Sequence, residues 1–284
     1  LGIFRRRADL AESDGERLEL VFQVAGLHEE MLHDLDEAVS SYREVLTIDP
    51  GNARALDALD RIYQEQGNWA ELADNLGTQL ECTDDQGETA ALLLRLAELR
   101  ELKLMEIEAA VDTYRKVLEL DPDNDQVVTA LERLIQDEAY QLTVAQLLEP
   151  IYNRRNDWQK LIGAYEIMVS NSYDPEAKIQ LLHRVGRLCE AAEEVDRAFE
   201  AYGRALREDP ANIESQARLE ALADVVDGWE QVVTLYNDQV ADVMDEVLAT
   251  TLHLKVARIL EQRVVDLARA AAAYLRLLDL DPGN

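Results

Sequence analysis

The feature that most constrains this chain is an internal repeat. One phrase, in which an alanine precedes a tyrosine by four residues and which ends in Asp-Pro, occurs four times, with its tyrosines at Tyr42, Tyr114, Tyr202 and Tyr274. These tyrosines are 72, 88 and 72 residues apart. Self-similarity at such periods is typical of proteins built from stacked repeats. We therefore expect one structural unit to recur along the whole chain.

A second phrase, built on tryptophan, lies between copies of the first. It reads Gly67-Asn68-Trp69, Asn156-Asp157-Trp158 and Asp227-Gly228-Trp229. Pro50 precedes Trp69 by 19 residues, and Pro210 precedes Trp229 by the same 19 residues. This agreement indicates two kinds of repeat that alternate.

The residues of the first phrase predict helices. Ala38, Tyr42 and Leu46 fall on one face of a helix. The proline that follows disfavours helix for the residue before it, so the helix should stop at the aspartate, and the asparagine two residues later is a good N-cap for the next helix. No segment alternates with period two, and the chain is predicted to be all-α, with about sixteen helices.

The unit 179–212 resembles the tetratricopeptide repeat. The family's signature positions are occupied by Leu182, Val185, Gly186, Cys189, Ala198, Tyr202, Ala205 and Pro210. The resemblance implies a right-handed solenoid of stacked antiparallel helix pairs. The units that end at Pro50, Pro122 and Pro282 match with one extra residue, which we place in the turn between the two helices. Their small crossing residues are Ala25, Ala97 and Ala257.

We interpret residues 1–284 as a single array. The predicted repeats are 18–52, 53–87, 90–124, 179–212, 213–249 and 250–284, with 1–14 as the second helix of an incomplete repeat and 125–178 as irregular repeats with one extra helix. Because neither end carries a polar cap, we expect a segment of a longer array, with a tryptophan about four residues before Leu1.

The middle of the chain departs from the pattern by 16 surplus residues, the difference between spacings of 88 and 72. Two helical pieces, 127–136 and 143–152, are predicted there, with Pro150 bending or ending the second piece. An odd helix should alter the pitch of the stack near 125–155. The alternative is that a split helix absorbs the length without bending the stack.

The sequence offers no site for catalysis, a metal or a cofactor. No two of the four histidines have the spacing that places metal ligands on one helix face, and no phosphate loop or nucleophile motif occurs. Cys82 and Cys189 have no spaced partner, and no stretch is long and apolar enough for a transmembrane helix. We predict a non-enzyme without cofactors, located in the cytoplasm.

Charge points to the kind of partner. The chain carries 58 acidic residues against 28 lysines and arginines, a net charge of −30. Such a chain repels the nucleic-acid backbone, so we expect a protein or peptide partner of basic character, with neither nucleic-acid binding nor membrane insertion.

One set of residues follows the repeat and is the candidate binding surface. A glutamate stands four residues after each small crossing residue. An apolar or aromatic residue stands seven residues before each of these glutamates. The resemblance implies that these first-helix positions face the concave groove, where Arg187 and Arg258 are the basic exceptions. The predicted partner-binding residues are Glu29, Glu101, Glu190, Glu261, Phe22, Leu94, His183, Leu254, Arg187 and Arg258. The alternative is that glutamate is simply a good helix former on a solvated face.

The predicted function is a non-catalytic protein–protein interaction scaffold that binds a peptide or helix of a partner in this acidic groove. The alternative is a structural subunit whose repeat array assembles into a larger complex. The identity of the partner is not encoded in any motif of the chain.

Overall fold

The structure of the protein, a computed structural model, describes residues 2–280. Within those residues there is no β-strand, and the chain forms sixteen α-helices. They are α1 (Gly2–Asp9), α2 (Asp14–Leu27), α3 (Leu35–Ile48), α4 (Ala53–Gln66), α5 (Trp69–Cys82), α6 (Gln86–Leu99), α7 (Ile107–Leu120), α8 (Asp125–Leu134), α9 (Gln141–Arg155), α10 (Trp158–Asn171), α11 (Pro175–Ala191), α12 (Val195–Glu208), α13 (Ile213–Ala223), α14 (Trp229–Asp242), α15 (Glu246–Ile259) and α16 (Leu267–Leu280). The predicted all-α solenoid is confirmed.

The chain divides into two compact units, Leu1–Arg133 and Leu134–Asn284. In each unit, consecutive helices pack mainly against each other, as expected for a stack of helix pairs. We call α2, α4, α6 and α8 in the first unit, and α9, α11, α13 and α15 in the second, the first helices. The remaining helices from α3 onward are the second helices.

In the first unit, small residues allow the paired helices to approach closely. Ala25 of α2 and Ala38 of α3 are fully buried in one apolar cluster that also contains Tyr42. Ala97 and Ala110 are equally buried in the pair α6 and α7. Burial of these apolar stripes is the main favourable term that holds such a stack together.

In the second unit, the closest approach is made at a glycine. A Cβ atom on Gly186 of α11 would lie 2.6 Å from Cζ of Tyr202 in α12. Only a residue without a side chain fits there, which explains why glycine replaces the alanine found at this position elsewhere. Tyr202 itself is fully buried.

The predicted helix boundaries are confirmed at the Asp-Pro-x-Asn phrases. Helices α3, α7 and α12 end one residue before Asp49, Asp121 and Asp209. The asparagine that closes each phrase then caps the next helix through its side-chain oxygen: Asn52 Oδ1 accepts from the amide of Ala55 at 3.1 Å, Asn124 Oδ1 from Val127 at 3.1 Å, and Asn212 Oδ1 from Ser215 at 2.8 Å.

The extra residue of the longer repeats is not in the inter-helix turn, where we expected it. It lies in a π-helical turn that extends the first helix, at His28–Leu32, Arg100–Leu104 and Leu260–Val264. The amide of Glu106 closes the π-turn of η2 (Arg100–Leu104) by bonding to the carbonyl of Arg100 at 2.9 Å, whereas in the shorter repeat the amide of Glu194 bonds to the carbonyl of Cys189. A π-turn accommodates one residue without breaking the chain of hydrogen bonds, because it only changes which carbonyl accepts.

The middle of the chain forms two helices, α8 and α9, close to the two predicted pieces. We expected Pro150 either to bend or to end this helix. It does not end α9, because the helix continues to Arg155. The residues around the proline are buried, Leu148 and Ile151 among them, and their packing offsets the lost backbone hydrogen bond. The division between the two units falls at residues 133 and 134. The predicted change of pitch and the predicted repeat boundaries stay predictions.

Within the described residues, no helix is both long and apolar enough to cross a membrane.

Candidate functional site

The four predicted glutamates share one local arrangement. Each carboxylate accepts a hydrogen bond from the phenol of the tyrosine in the second helix of its own repeat. The distances are 2.9 Å for Tyr42 to Glu29, 2.7 Å for Tyr114 to Glu101, 2.6 Å for Tyr202 to Glu190 and 2.8 Å for Tyr274 to Glu261. The glutamate precedes the tyrosine by 12 or 13 residues in every case, so this spacing joins the two helices of one repeat.

Three of these glutamates also pair with a cation from the next first helix. Arg61 of α4 pairs with Glu29, and Arg133 of α8 donates to Glu101 through Nε at 3.1 Å. Arg218 of α13 lies 3.5 Å from Glu190. Each carboxylate thus joins three helices from two neighbouring repeats. We call such a set of carboxylate, tyrosine and cation a rung.

The tryptophan repeats contain rungs that the sequence analysis missed. Tyr165 donates to Glu149 at 2.8 Å, and Tyr236 donates to Glu220 at 2.6 Å. Their cations are Arg184, 3.7 Å from Glu149, and Lys255, 2.7 Å from Glu220. The signal was present in the sequence, because each of these tyrosines follows its tryptophan by seven residues.

The repeat of Trp69 has a reduced rung. Asp60 of α4 pairs with Arg95 of α6 at 2.8 Å, but Leu76 stands where the other two tryptophan repeats have a tyrosine. At the far end, Glu261 bonds to Tyr274 and forms no ion pair within residues 2–280.

The tyrosines of the rungs lose their proton less readily than a tyrosine in water. Burial, with a smaller contribution from the hydrogen bond to Glu101, raises the pKa of Tyr114 well above its ordinary range. Burial and the bond to Glu190 act in the same direction on the pKa of Tyr202. These phenols therefore remain protonated donors at neutral pH, and the paired glutamates do not stand as free charges on the surface. Glu101 is only 4% exposed.

The predicted apolar neighbours are covered to different degrees. The ring of Phe22 packs edge-to-face on Tyr42 with centroids 5.3 Å apart, and Arg54 lies 4.0 Å from its other face. His183 is buried, with Nε2 2.7 Å from the hydroxyl of Ser215, and burial lowers its pKa. Leu94 and Leu254 are half-buried.

The two basic exceptions are exposed. Arg187 lies 3.9 Å from Glu214, at the limit of an ion pair. Arg258 is exposed on α15, beside the ring of Trp229 and the side chain of Arg263 in one cavity. The structure does not gather the ten predicted residues into one enclosed site, but distributes them over α2, α6, α11 and α15 and the π-helical turns that extend three of these helices.

Each tryptophan lines an open cavity that the sequence did not predict. The cavities have volumes of about 360 Å³ at Trp69, 220 Å³ at Trp158 and 280 Å³ at Trp229. Each is closed on one side by the end of the next first helix. We call them the tryptophan pockets. The sequence analysis used the tryptophans only to recognise the second phrase, which does not show which residues of the next helix lie beside them.

The comparisons with known proteins agree with the repeat assignment. Residues 90–124 match the family model "Tetratricopeptide repeat". No curated protein matches the chain. Among solved structures, it is similar to "TPR2AB-domain:pHSP90-complex of yeast Sti1", with 15% identity, 93% of this chain and 99% of that chain covered and a TM-score of 0.33.

Two further structures are similar over much of their length. "Crystal structure of YrrB: a TPR protein with an unusual peptide-binding site" has 15% identity and a TM-score of 0.29, covering 72% of this chain and 97% of that chain. "Crystal structure of MamA" has 20% identity and a TM-score of 0.27, covering 66% of this chain and 95% of that chain. These TM-scores are low, and nothing about this chain is concluded from them. The match over residues 90–124, within an all-α chain whose phrases recur, confirms the resemblance to the tetratricopeptide-repeat family.

Proposed function

We propose that this chain is a non-catalytic scaffold that binds a basic peptide or helix of a partner protein across its first helices. The observation that carries the proposal is the charge balance. If each of the 28 lysines and arginines neutralised a separate carboxylate, the net charge of −30 would still remain on the rest. A surface with this excess attracts basic partners and repels nucleic acid.

The rungs determine which carboxylates are left to attract a basic partner. Because Glu29, Glu101 and Glu190 are each compensated by an arginine, the uncompensated carboxylates on the first helices must carry it. Three of them lie in consecutive repeats of the first unit: Glu30, Asp57 and Glu98. All three are exposed, and none has an ion pair or hydrogen bond within the described residues.

The proposal is tested by neutralising those three carboxylates while the rungs stay intact. We expect the triple variant Glu30→Gln, Asp57→Asn, Glu98→Gln to bind a lysine-rich peptide several-fold more weakly than the unaltered chain, because nearby charge is removed from the contact surface. The dependence of affinity on salt should become shallower as well. Isothermal titration at two salt concentrations measures both.

A matched control separates a site from bulk charge. The variant Glu81→Gln, Glu108→Gln, Glu119→Gln makes the same change in net charge at exposed positions of the second helices α5 and α7. Its affinity and salt dependence should stay close to those of the unaltered chain. Equal losses in the two triple variants would contradict binding across the first helices.

A further inference from the structure

The three tryptophan pockets are equivalent in position but not in content. Each is lined by a tryptophan at the start of a second helix and by residues that end the next first helix. The small crossing residue of that next repeat provides a common reference point. It is Ala97 for the Trp69 pocket, Gly186 for the Trp158 pocket and Ala257 for the Trp229 pocket.

In two pockets the chain places its own cation over the indole ring. Lys103 Nζ lies 5.1 Å from the ring centroid of Trp69, and Arg263 Cζ lies 5.2 Å from that of Trp229. Both distances fall within the range in which a cation is attracted to the face of an aromatic ring. Lys103 follows Ala97 by six residues, and Arg263 follows Ala257 by six residues.

Within the part of the chain that the structure describes, no lysine or arginine side chain lies over the ring of Trp158 or lines its pocket. Six residues after Gly186 stands Ala192, whose methyl group cannot reach over the ring. The cavity is lined only by neutral side chains: Asn153, Asn156, Trp158, Leu161, Leu188, Ala191 and Ala192. The indole is half-buried, so part of it remains accessible from solvent.

The end of the first helix explains the difference. Lys103 and Arg263 both belong to π-helical turns, Arg100–Leu104 and Leu260–Val264. Helix α11, beside Trp158, has no such turn and ends at Ala191. The repeat that lacks the extra residue is thus also the one that places no cation over the tryptophan of the repeat before it.

We propose that the Trp158 pocket binds a lysine or arginine side chain of the partner, which takes the place that Lys103 and Arg263 occupy over the other two tryptophans. The inference rests on the proposed function for the basic class of partner. The apolar walls Leu161 and Leu188 suit the methylene stem of such a side chain. The amide oxygens of Asn153 and Asn156 can accept hydrogen bonds from its charged end.

The experiment follows the indole resonances of the full chain during titration with a ten-residue peptide of alternating glycine and lysine. In the unaltered chain we expect the Trp158 resonance to shift saturably and those of Trp69 and Trp229 to shift much less, because their ring faces are already covered. The variant Trp158→Phe assigns the resonance. Equal shifts of all three resonances would overturn the proposal.

The first variant gives the Trp158 pocket a cation like those that lie over Trp69 and Trp229. Ala192→Lys supplies a cation in the same chain and should weaken the response at Trp158 about three- to tenfold, the range expected for one cation–π contact. The control Gln180→Lys adds the same charge at an exposed position of α11 and should keep most of the response. If Ala192→Lys responds like Gln180→Lys, the pocket is not the site.

The second variant removes the cation from the Trp69 pocket. Lys103→Ala uncovers that ring and should give Trp69 a response to the peptide that it lacks in the unaltered chain. Lys116→Ala removes the same charge from an exposed position of α7 and should not. A response that is the same in both variants would count against the proposal.

The outcomes also separate this inference from the scaffold proposal. If calorimetry shows that the peptide binds while no tryptophan resonance responds, the pocket proposal is wrong and the scaffold proposal stands. If the peptide does not bind at low salt at all, both fail.

Discussion

The repeats 90–124 and 179–212 join their helices by the same contacts, although they differ in length by one residue. Both place a tyrosine of the second helix on a glutamate of the first, at 2.7 Å and 2.6 Å, and both bring an arginine from the next first helix to that glutamate. The first repeat contains one residue more, and it is absorbed by the π-turn Arg100–Leu104. The comparison teaches that the rung is kept while the last turn of the helix adapts.

The two repeats differ in how deeply the rung is buried. The side chain of Glu101 is 4% exposed, whereas that of Glu190 is 28% exposed. A carboxylate withdrawn from water depends more strongly on its partners, because few water molecules can replace them. Glu101 should therefore contribute more to the free energy of unfolding in the repeat 90–124 than Glu190 does in the repeat 179–212.

The largest expected effect tests this difference directly. Glu101→Ala should lower the free energy of unfolding by about 2–3 kcal/mol, since it leaves the buried phenol of Tyr114 without its acceptor, and Glu190→Ala should cost only about 1 kcal/mol. Urea denaturation, with hydrogen exchange to locate the loss, measures both. Glu108→Ala, at an exposed position of α7, serves as the control. Equal costs at the two rungs would break the comparison.

The second prediction exchanges the crossing residues. Gly186→Ala places a methyl group within 2.6–2.9 Å of three ring atoms of Tyr202. The overpacking should exceed the roughly 1 kcal/mol that alanine gains in a helix, for a net loss of about 1–2 kcal/mol. Ala97→Gly, which removes a fully buried methyl group and also increases the backbone entropy of the unfolded chain, should cost about 1–2 kcal/mol. Thermal melts of both variants provide the measurement, and a Gly186→Ala variant of increased stability would show that α11 and α12 can separate at no cost.

The third prediction concerns acid. Burial lowers the pKa of His183 in the folded chain, and Arg187 and Arg218 lower it further, while Glu214 acts in the opposite direction. The unfolded chain therefore binds a proton that the folded chain does not, so stability is lost as the pH falls below about 6.5. The equivalent residue in the repeat 90–124 is Leu94, which does not titrate.

Replacing this histidine should remove part of the acid sensitivity. Between pH 7 and pH 5.5, His183→Leu should lose about 1 kcal/mol less stability than the unaltered chain. His33→Asn replaces an exposed histidine at a position of positive φ and should follow the unaltered chain. Urea midpoints at the two pH values make the comparison. A His183→Leu variant that keeps the full pH dependence would assign the effect to other groups.

The smallest expected effect lies at the residue that follows each π-turn. Val265 has φ 61° and Met105 has φ 57°, in a region that a β-branched side chain enters only with strain. Val265 is 68% exposed and packs little, so Val265→Gly should stabilise the chain by about 0.5–1 kcal/mol and Met105→Gly by less. Val264→Gly, one residue earlier inside the turn, should destabilise it. Melting temperatures would show opposite signs, and equal signs would mean that the strain is absent.

Much of the fold could be predicted because local rules agree with the packing. The spacing from Ala38 to Tyr42 predicted a buried helix face, and the prolines with the asparagines Asn52, Asn124 and Asn212 predicted where helices end and begin. Each of these signals acts within a few residues, so tertiary structure had little opportunity to override it. The length of the chain between Pro122 and Trp158 likewise predicted an additional helix.

The rest depended on contacts that are not local in sequence. The sequence shows that the longer repeats contain one more residue, but not whether the turn between the helices or a π-helical turn at the end of the first helix takes it up. For Glu29 and Glu101, the sequence showed acids on a helix face, and the deciding partners, Arg61 and Arg133, come from 32 residues away. An exposed groove position and a joint between repeats therefore look alike until the neighbouring helix is in place.

The rungs also restrict which repeats can follow one another. Arg61 and Arg133 reach their glutamates from nine residues after the capping asparagine of α4 and α8, but Arg218 does so from six residues after that of α13. Exchanging α13 with α4 or α8 would shift the arginine by three residues, almost one helical turn, relative to the glutamate of the preceding repeat. The repeats therefore share one shape, but the position of the arginine restricts the order in which they can be joined.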